Sequence, residues 1–396
     1  MDLDTFFVSC ERLENKSLIG KPVLIGGTSD RGVVASCSYE ARAFGIHSAM
    51  PMKMALQLCP EATIVRGNSM LYSEKSKEVT QVIEESVPLF EKSSIDEFYL
   101  DLTGMDHFFG CMKWATELKQ KIVKETRLPI SFGLSENKTV SKVATNEVKH
   151  DNQMQVNYCM EKAFLAPLSV RKIPMIGEKT YQALKQLGIR HIHTLQEMPL
   201  ELVEAVFGLN GIKMWQKAQG IDKSPVVPYR ERKSISTERT FDQDTTDVTK
   251  LKSILLAMAE NLAFQLRRGQ KLTSCITVKI RYSDFNTYTL QSKISHTSAD
   301  HILIPKVLEM FDKLYNKRLL VRLIGVRYSS LAEGNYQIHL FEDTEEAIRL
   351  YQAMDTIRDK HGDRKVMRAS GITARTISRF NPFTGEPPPL LANRRR

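Results

Sequence analysis

Apolar positions recur at two periods along this chain, and the changes of period mark its elements. Short alternating or continuous apolar runs predict strands over 23–26, 33–37, 94–101 and 130–134. Helical spacing predicts helices over 51–58, 69–86, 113–124 and 137–148, the second with Val79, Val82 and Ile83 on one face. Between Pro167 and Gly220 the elements are short, helical and joined by Gly turns, and Pro225 and Pro228 then mark a linker. The next stretch reads as strand 234–240, helix 248–267, strands 275–282 and 288–294, helix 302–317 and strand 320–329. That order, β-α-β-β-α-β, is the order of a small split sheet. A last helix is expected over 345–360, followed by a basic tail that ends Arg394-Arg395-Arg396 and touches DNA or nothing. The pattern predicts an α+β, multidomain chain in four parts.

Composition narrows the class. A chain of 396 residues is too long for one ordinary domain, and 42% hydrophobic with 26% charged residues excludes wholesale disorder. No apolar run approaches the ~18 residues of a membrane span. Met1-Asp2-Leu3-Asp4 lacks the basic and apolar regions of an export signal. The six cysteines include no C-x-x-C pair, which argues against structural zinc and a disulfide framework. A monomer in the reducing cytoplasm, away from membranes, is the expectation. Lys+Arg 56 against Asp+Glu 46 gives a net charge of +10, and residues 232–341 hold 17 basic against 10 acidic side chains. Most of the surplus thus lies in one part, which favours a polyanionic partner there.

Two acidic clusters carry the candidate chemistry, Asp2-Leu3-Asp4 and Ser94-Ile95-Asp96-Glu97. Phosphoryl transfer with paired Mg²⁺ ions needs shared hard oxygen ligands, which one acid from one strand and two from its neighbour can supply. Strand alternation would send Asp96 and Glu97 to opposite faces, so both bind metal only where the strand turns or bulges. The same acids also suit exposed strand ends and helix caps. Asp4, ahead of Thr5-Phe6-Phe7-Val8, is expected to N-cap a helix.

Asp2-Leu3-Asp4-Thr5-Phe6-Phe7, Ser38-Tyr39-Glu40-Ala41-Arg42-Ala43-Phe44-Gly45 and Ser94-Ile95-Asp96-Glu97, in this order and spacing, resemble the Y-family translesion DNA polymerases over about residues 1–341. The resemblance implies a right-hand polymerase: palm 1–10 and 68–157, fingers 11–67, a helical thumb 158–227, a linker 228–233, a little finger 234–341, and a C-terminal helix and tail over 342–396. It implies a low-fidelity, lesion-bypassing DNA polymerase without a proofreading exonuclease, working on primer-template DNA and deoxynucleoside triphosphates with two Mg²⁺ ions. Asp2, Asp96 and Glu97 match the metal-binding carboxylates, and Leu3 matches a position whose carbonyl binds the nucleotide-side ion. Phe7 matches the steric gate against a 2′-hydroxyl. Tyr39, Arg42, Lys149 and Ser36 match the triphosphate side, although His150-Asp151-Asn152 stands where the family has Pro and a Gly-containing turn. Taken alone, Arg42 could instead pair with Glu40.

Gly32, Ala35, Ser48 and Ala49 match the small residues that roof the nascent pair. Residues 173–179 followed by Leu187-Gly188-Ile189 resemble a helix-hairpin-helix, with Gly177 and Lys179 on DNA phosphate and Met175 where the motif has its first Gly. Arg322 and Arg327 match DNA-contacting positions of the little finger, but five residues apart they fall on opposite faces of an ideal strand unless a bulge intervenes. Gln337-Ile338-His339-Leu340-Phe341 resembles the peptide that enters a sliding-clamp groove through Gln337, Leu340 and Phe341. It reads equally well as a final strand. Family members carry several residues before the first catalytic Asp whereas here only Met1 precedes it, so weakened metal affinity is expected. The competing readings are a palm-fold nucleotide cyclase, which would need no duplex grip, and a DNA-binding protein without catalysis.

Overall fold

A computed structural model describes residues 1–29, 31–105, 110–228, 231–316, 319–334, 345–362 and 365–371. The described residues divide into two compact units, 1–230 and 231–371. Among the described residues no helix is long and apolar enough to cross a membrane. All six cysteines carry free thiols.

The first unit opens with β1 (Asp2–Leu3) and α1 (Phe6–Glu14), followed by β2 (Val23–Gly26), β3 (Val34–Cys37), α2 (Tyr39–Arg42), α3 (Met52–Leu58) and β4 (Thr63–Val65). Then come α4 (Ser69–Ser86), β5 (Phe90–Lys92), β6 (Phe98–Leu100), α5 (Cys111–Thr126), β7 (Ile130–Leu134), α6 (Lys138–Glu147) and β8 (Gln153–Gln155). Strands β3, β2 and β4 form one small sheet in that order. The second sheet places the acids. β1 runs antiparallel to β7, which pairs with β8, while on its other side Leu3 N–H donates to Asp96 O at 3.0 Å and Phe98 N–H to Met1 O at 3.0 Å. With only two residues, β1 is held from both sides, its Leu3 side chain buried under α4 and α5 among Phe6, Ile83, Phe98 and Ile122.

The expected strand over 94–101 is shorter than its alternation suggested. Its regular part begins at Phe98, and Ser94–Asp96 form a bend instead. Helix α6 lies unusually close to β7 because Gly133 has no side chain. A Cβ there would sit 2.4 Å from the Ser141 carbonyl oxygen and 2.7 Å from Ala144 Cβ. The unit closes with α7 (Glu161–Leu165), α8 (Glu178–Gln186), α9 (Ile192–Glu197) and α10 (Leu200–Ala218), the last kinked at Gly208. The stretch after α10 is strapped back onto α6 and β5. Asn137 donates to Gly220 O at 2.9 Å, Thr139 to Asp222 at 2.6 Å, and Val227 N–H to Glu91 at 2.8 Å.

The second unit has β9 (Ser234–Thr245), α11 (Val248–Arg268), β10 (Lys271–Tyr282), β11 (Thr287–Thr297), α12 (Asp300–Leu314) and β12 (Val321–Glu333). The β-α-β-β-α-β order is as expected, and its antiparallel sheet runs β11-β10-β12-β9 with α11 and α12 packed on one face. The helix α13 (Glu345–His361) also belongs to this unit. It is docked rather than loose: buried Arg267 holds Asp355 (2.6 Å) and Asp300 (2.7 Å), and buried Arg358 holds Glu260 (2.7 Å).

Candidate active site

The bend between β5 and β6 solves the alternation problem. Ser94 Oγ accepts N–H bonds from Asp96 (3.3 Å) and Glu97 (3.1 Å) and donates to Asp96 Oδ1 at 2.5 Å. Ser76 on α4 ties the bend down by donating to Ile95 O at 2.5 Å. Asp96 therefore leaves the bend while Glu97 bridges to Asp2 on β1. The three acids stand on adjacent backbones, and each has a partner. Lys149 holds Asp2, Lys142 Nζ lies 2.5 Å from Glu97 Oε2, and Ser94 holds Asp96. Burial pushes Asp2 up to about 6 despite Lys149, and it raises Asp96 as well. The Met1 ammonium, bonded to Phe98 O at 2.9 Å, is pulled down to about 6 by the same burial. Among the described residues, no three acidic, His or Cys side chains converge tightly enough to hold an ion as they stand. Two ammonium groups balance the acids instead.

Asp4 does not cap α1. Thr5 precedes the helix with a left-handed backbone (φ 43°) and no side-chain cap, while the Asp4 carboxylate turns inward. There it accepts from Ser131 Oγ at 2.6 Å, Asp151 N–H at 2.7 Å and Tyr39 Oη at 3.2 Å. Phe7, half-buried on α1, lies flat on Tyr72 with ring centres 4.3 Å apart, and Tyr72 is fixed by its 2.6 Å bond to Glu11. Ser38 caps α2, whose single turn puts Tyr39 and Arg42 on one side, the guanidinium 5.1 Å from the Tyr39 ring centre. Glu40 is not the partner of Arg42, because Arg12 takes it with a two-pronged contact at 2.9 and 3.0 Å. Ser36 is half-buried on β3 beside them.

Helix α6 ends at Glu147, so Lys149 projects from the turn beyond it. His150 (φ 83°) and Asp151 (φ 57°) take left-handed backbone without glycine. The His150 ring packs on Tyr39 at 3.6 Å between centres, and Lys119 donates to Asp151 O at 2.5 Å. In the hairpin before α8, Met175 is likewise left-handed (φ 86°) where a glycine would be unstrained. Gly177 caps α8, and Lys179 is exposed.

A register shift between Val321 and Leu323 frees Arg322 from the buried face, and its guanidinium lies 4.4 Å from the Phe285 ring centre. Arg327 is exposed, opposite Thr277 and Ser236 on the neighbouring strands. Gln337, Leu340 and Phe341 lie outside the described residues.

Two parts of this site were missed from sequence. Lys142 stands seven residues before Lys149, and on a helix expected to run to residue 148 that spacing was an available signal, although Lys149 lies just past the end of α6. Ser94 stood within the Ser94-Ile95-Asp96-Glu97 motif, but nothing in the sequence assigned its side chain to fixing the bend.

The family model described as the impB/mucB/samB family matches residues 1–146, and the model of that family's C-terminal domain matches 232–340. The DNA polymerase IV of Dehalococcoides mccartyi (strain ATCC BAA-2266 / KCTC 15142 / 195) is 37% identical, over 91% of this chain and 94% of that protein. The chain belongs to the Y family of DNA polymerases. This DNA-directed DNA polymerase is also 34% identical to the DNA polymerase IV 2 of Methanosarcina mazei, over 87% of its own length and 94% of the relative. Among solved structures, a chimera of the Y-family polymerases Dbh and Dpo4 matches with TM-score 0.74 and 26% identity, covering 84% of the polymerase and 98% of the chimera. An insertion ternary complex of Dbh DNA polymerase matches with TM-score 0.60 and 25% identity, covering 85% and 98%. The four-stranded sheet unit fits the little finger of these folds.

Proposed function

We propose that the polymerase adds deoxynucleotides to a primer 3′ end against a template, at low fidelity and across damaged bases, using two Mg²⁺ ions. The bridge between Asp2 and Glu97 carries this reading, because it brings acids from two distant segments onto adjacent strands. Their oxygens are hard donors of the kind Mg²⁺ prefers, and burial disfavours the charge on Asp2 and Asp96 unless further cations are supplied. The residues fit the group. Asp2, Asp96 and Glu97 would hold it, with the Leu3 carbonyl on the nucleotide side. When bound, such ions lower the pKa of the primer hydroxyl and neutralise the triphosphate and the leaving pyrophosphate.

The remaining work falls to side chains. Lys142 and Lys149 balance the charge of Glu97 and Asp2, oxygens that a bound metal would share. Phe7, held flat by Tyr72, is a wall that leaves no room for a 2′-hydroxyl. Tyr39, Arg42 and Lys149 bring donors and positive charge to triphosphate oxygens, with Ser36 as a further hydroxyl. The small residues Gly32, Ala35, Ser48 and Ala49 leave space for a distorted template base. The α8 hairpin at Gly177 and Lys179 and the outward Arg322 and Arg327 grip DNA phosphates without reading sequence.

Primer extension on an undamaged template tests the proposal. Asp96→Ala should slow extension on the order of 10³-fold, since a ligand of the reacting ions is lost, while primer-template affinity stays within about threefold. Primer-template binding without extension by the unsubstituted chain would overturn it.

A further inference from the structure

Asp4 has no place in the reaction described so far, yet it is only 1% exposed and one of its two carboxylate oxygens reaches both Tyr39 and Lys149. Oδ2 accepts from Ser131 Oγ (2.6 Å) and Asp151 N–H (2.7 Å), both on the palm. Oδ1 accepts from Tyr39 Oη (3.2 Å) on α2 and lies 3.2 Å from Lys149 Nζ. One oxygen is thus anchored to rigid backbone and strand, and the other is shared by the two groups that face the triphosphate. Such a carboxylate can be buried only because donors surround it.

We propose that Asp4 is the positioning residue that holds Tyr39 and Lys149 at a fixed separation for the incoming nucleotide. The assignment rests on the reading that these two groups meet the triphosphate. Lys149 is divided between Asp2 and Asp4. Were Asp2 committed to a metal ion, Asp4 would be the acid that keeps the ammonium group beside the site. The same oxygen takes the single hydroxyl proton of Tyr39 until a phosphate oxygen competes for it, and so sets where the Tyr39 ring waits, with His150 packed against it. Asp4 also holds the His150-Asp151 turn through the Asp151 N–H, in a left-handed conformation that neither residue favours.

Asp4→Asn separates this role from plain stability. The amide carbonyl can still accept from Ser131 and Asp151, while its NH₂ faces Tyr39 and Lys149 and cannot hold the ammonium group. In single-turnover extension, the apparent dissociation constant for the nucleotide should rise on the order of 10- to 100-fold, more than the maximal rate falls. The dissociation constant for primer-template should stay within about threefold, since phosphate grips elsewhere are untouched. An unchanged nucleotide constant, or a loss confined to rate and melting temperature, would overturn the assignment.

If the Asn variant does not fold, the cycle of Tyr39→Phe and Lys149→Met carries the test with Asp4 intact. Sharing one oxygen makes their effects on the nucleotide constant non-additive by about threefold or more, and additivity would overturn the assignment. Absence of extension by the unsubstituted chain would instead strike the polymerase proposal itself.

Discussion

Lys92 shows what a single buried charge costs this fold. Its ammonium group reaches Ser76 Oγ at 2.7 Å and Thr80 Oγ1 at 2.8 Å, above the Phe98 ring, with no carboxylate bonded to it among the described residues. Burial pulls its pKa down from 10.5 to about 8, so the unfolded chain binds the proton more tightly than the folded one. Stability should therefore rise with pH between about 8 and 10.5, as the folded ammonium group loses its proton first. Urea unfolding across that window should show the unsubstituted protein gaining on Lys92→Met by roughly 1–3 kcal/mol. A constant gap would mean that the ammonium group is solvated. At this scale the sequence was partly legible. The three acids stood out through the order and spacing of the motifs that hold them, since taken alone they suited strand ends and helix caps equally well. That the strand must turn or bulge at Asp96-Glu97 was legible, but how Ser94 and Ser76 build the bend and how Asp4 turns inward were not, because each depends on partners (Ser76, Ser131, Asp151) that only the packed sheet brings near.

Among the elements, α13 gains most from seeing the fold. Its helical period was plain in the sequence, and so were the bounds of α4 and β7, because amphipathic spacing survives without knowledge of neighbours. The docking of α13 was not. It runs through Arg267, Asp300 and Asp355, residues dispersed along the chain, whose pairing no local pattern encodes. The three residues of β5 are too few to establish alternation, and the alternation that marks β6 continues into the bend before it. Arg267→Met would strip Asp300 on α12 and Asp355 on α13 of their nearest cation, leaving them only the longer contacts to Arg368 (3.9 Å) and Arg358 (3.4 Å). It should destabilise the second unit by roughly 3–5 kcal/mol, read as a lower urea midpoint for that unit's transition. Asp300, being fully buried, makes this a sharp test. A shift below about 1 kcal/mol would place the network in water rather than in the core.

For the molecule as a whole, charge is the sequence property that translated most directly into surface. The basic surplus of 232–341 meets a sheet with one helix-covered face and one outward face that carries Arg327. Arg327→Ala should weaken primer-template binding similarly on any sequence and flatten the slope of log affinity against log salt by about one unit. An unaltered slope would remove Arg327 from the phosphate contacts. Gly133 bears on the molecule's evolutionary freedom. The absence of one methyl group there sets how deeply α6 nests on the sheet, and with it the reach of two lysines over the acids. Lineages in which this residue drifts to alanine would inherit a throttled copying machine with every acid intact, and the quickest repair would be a reversion.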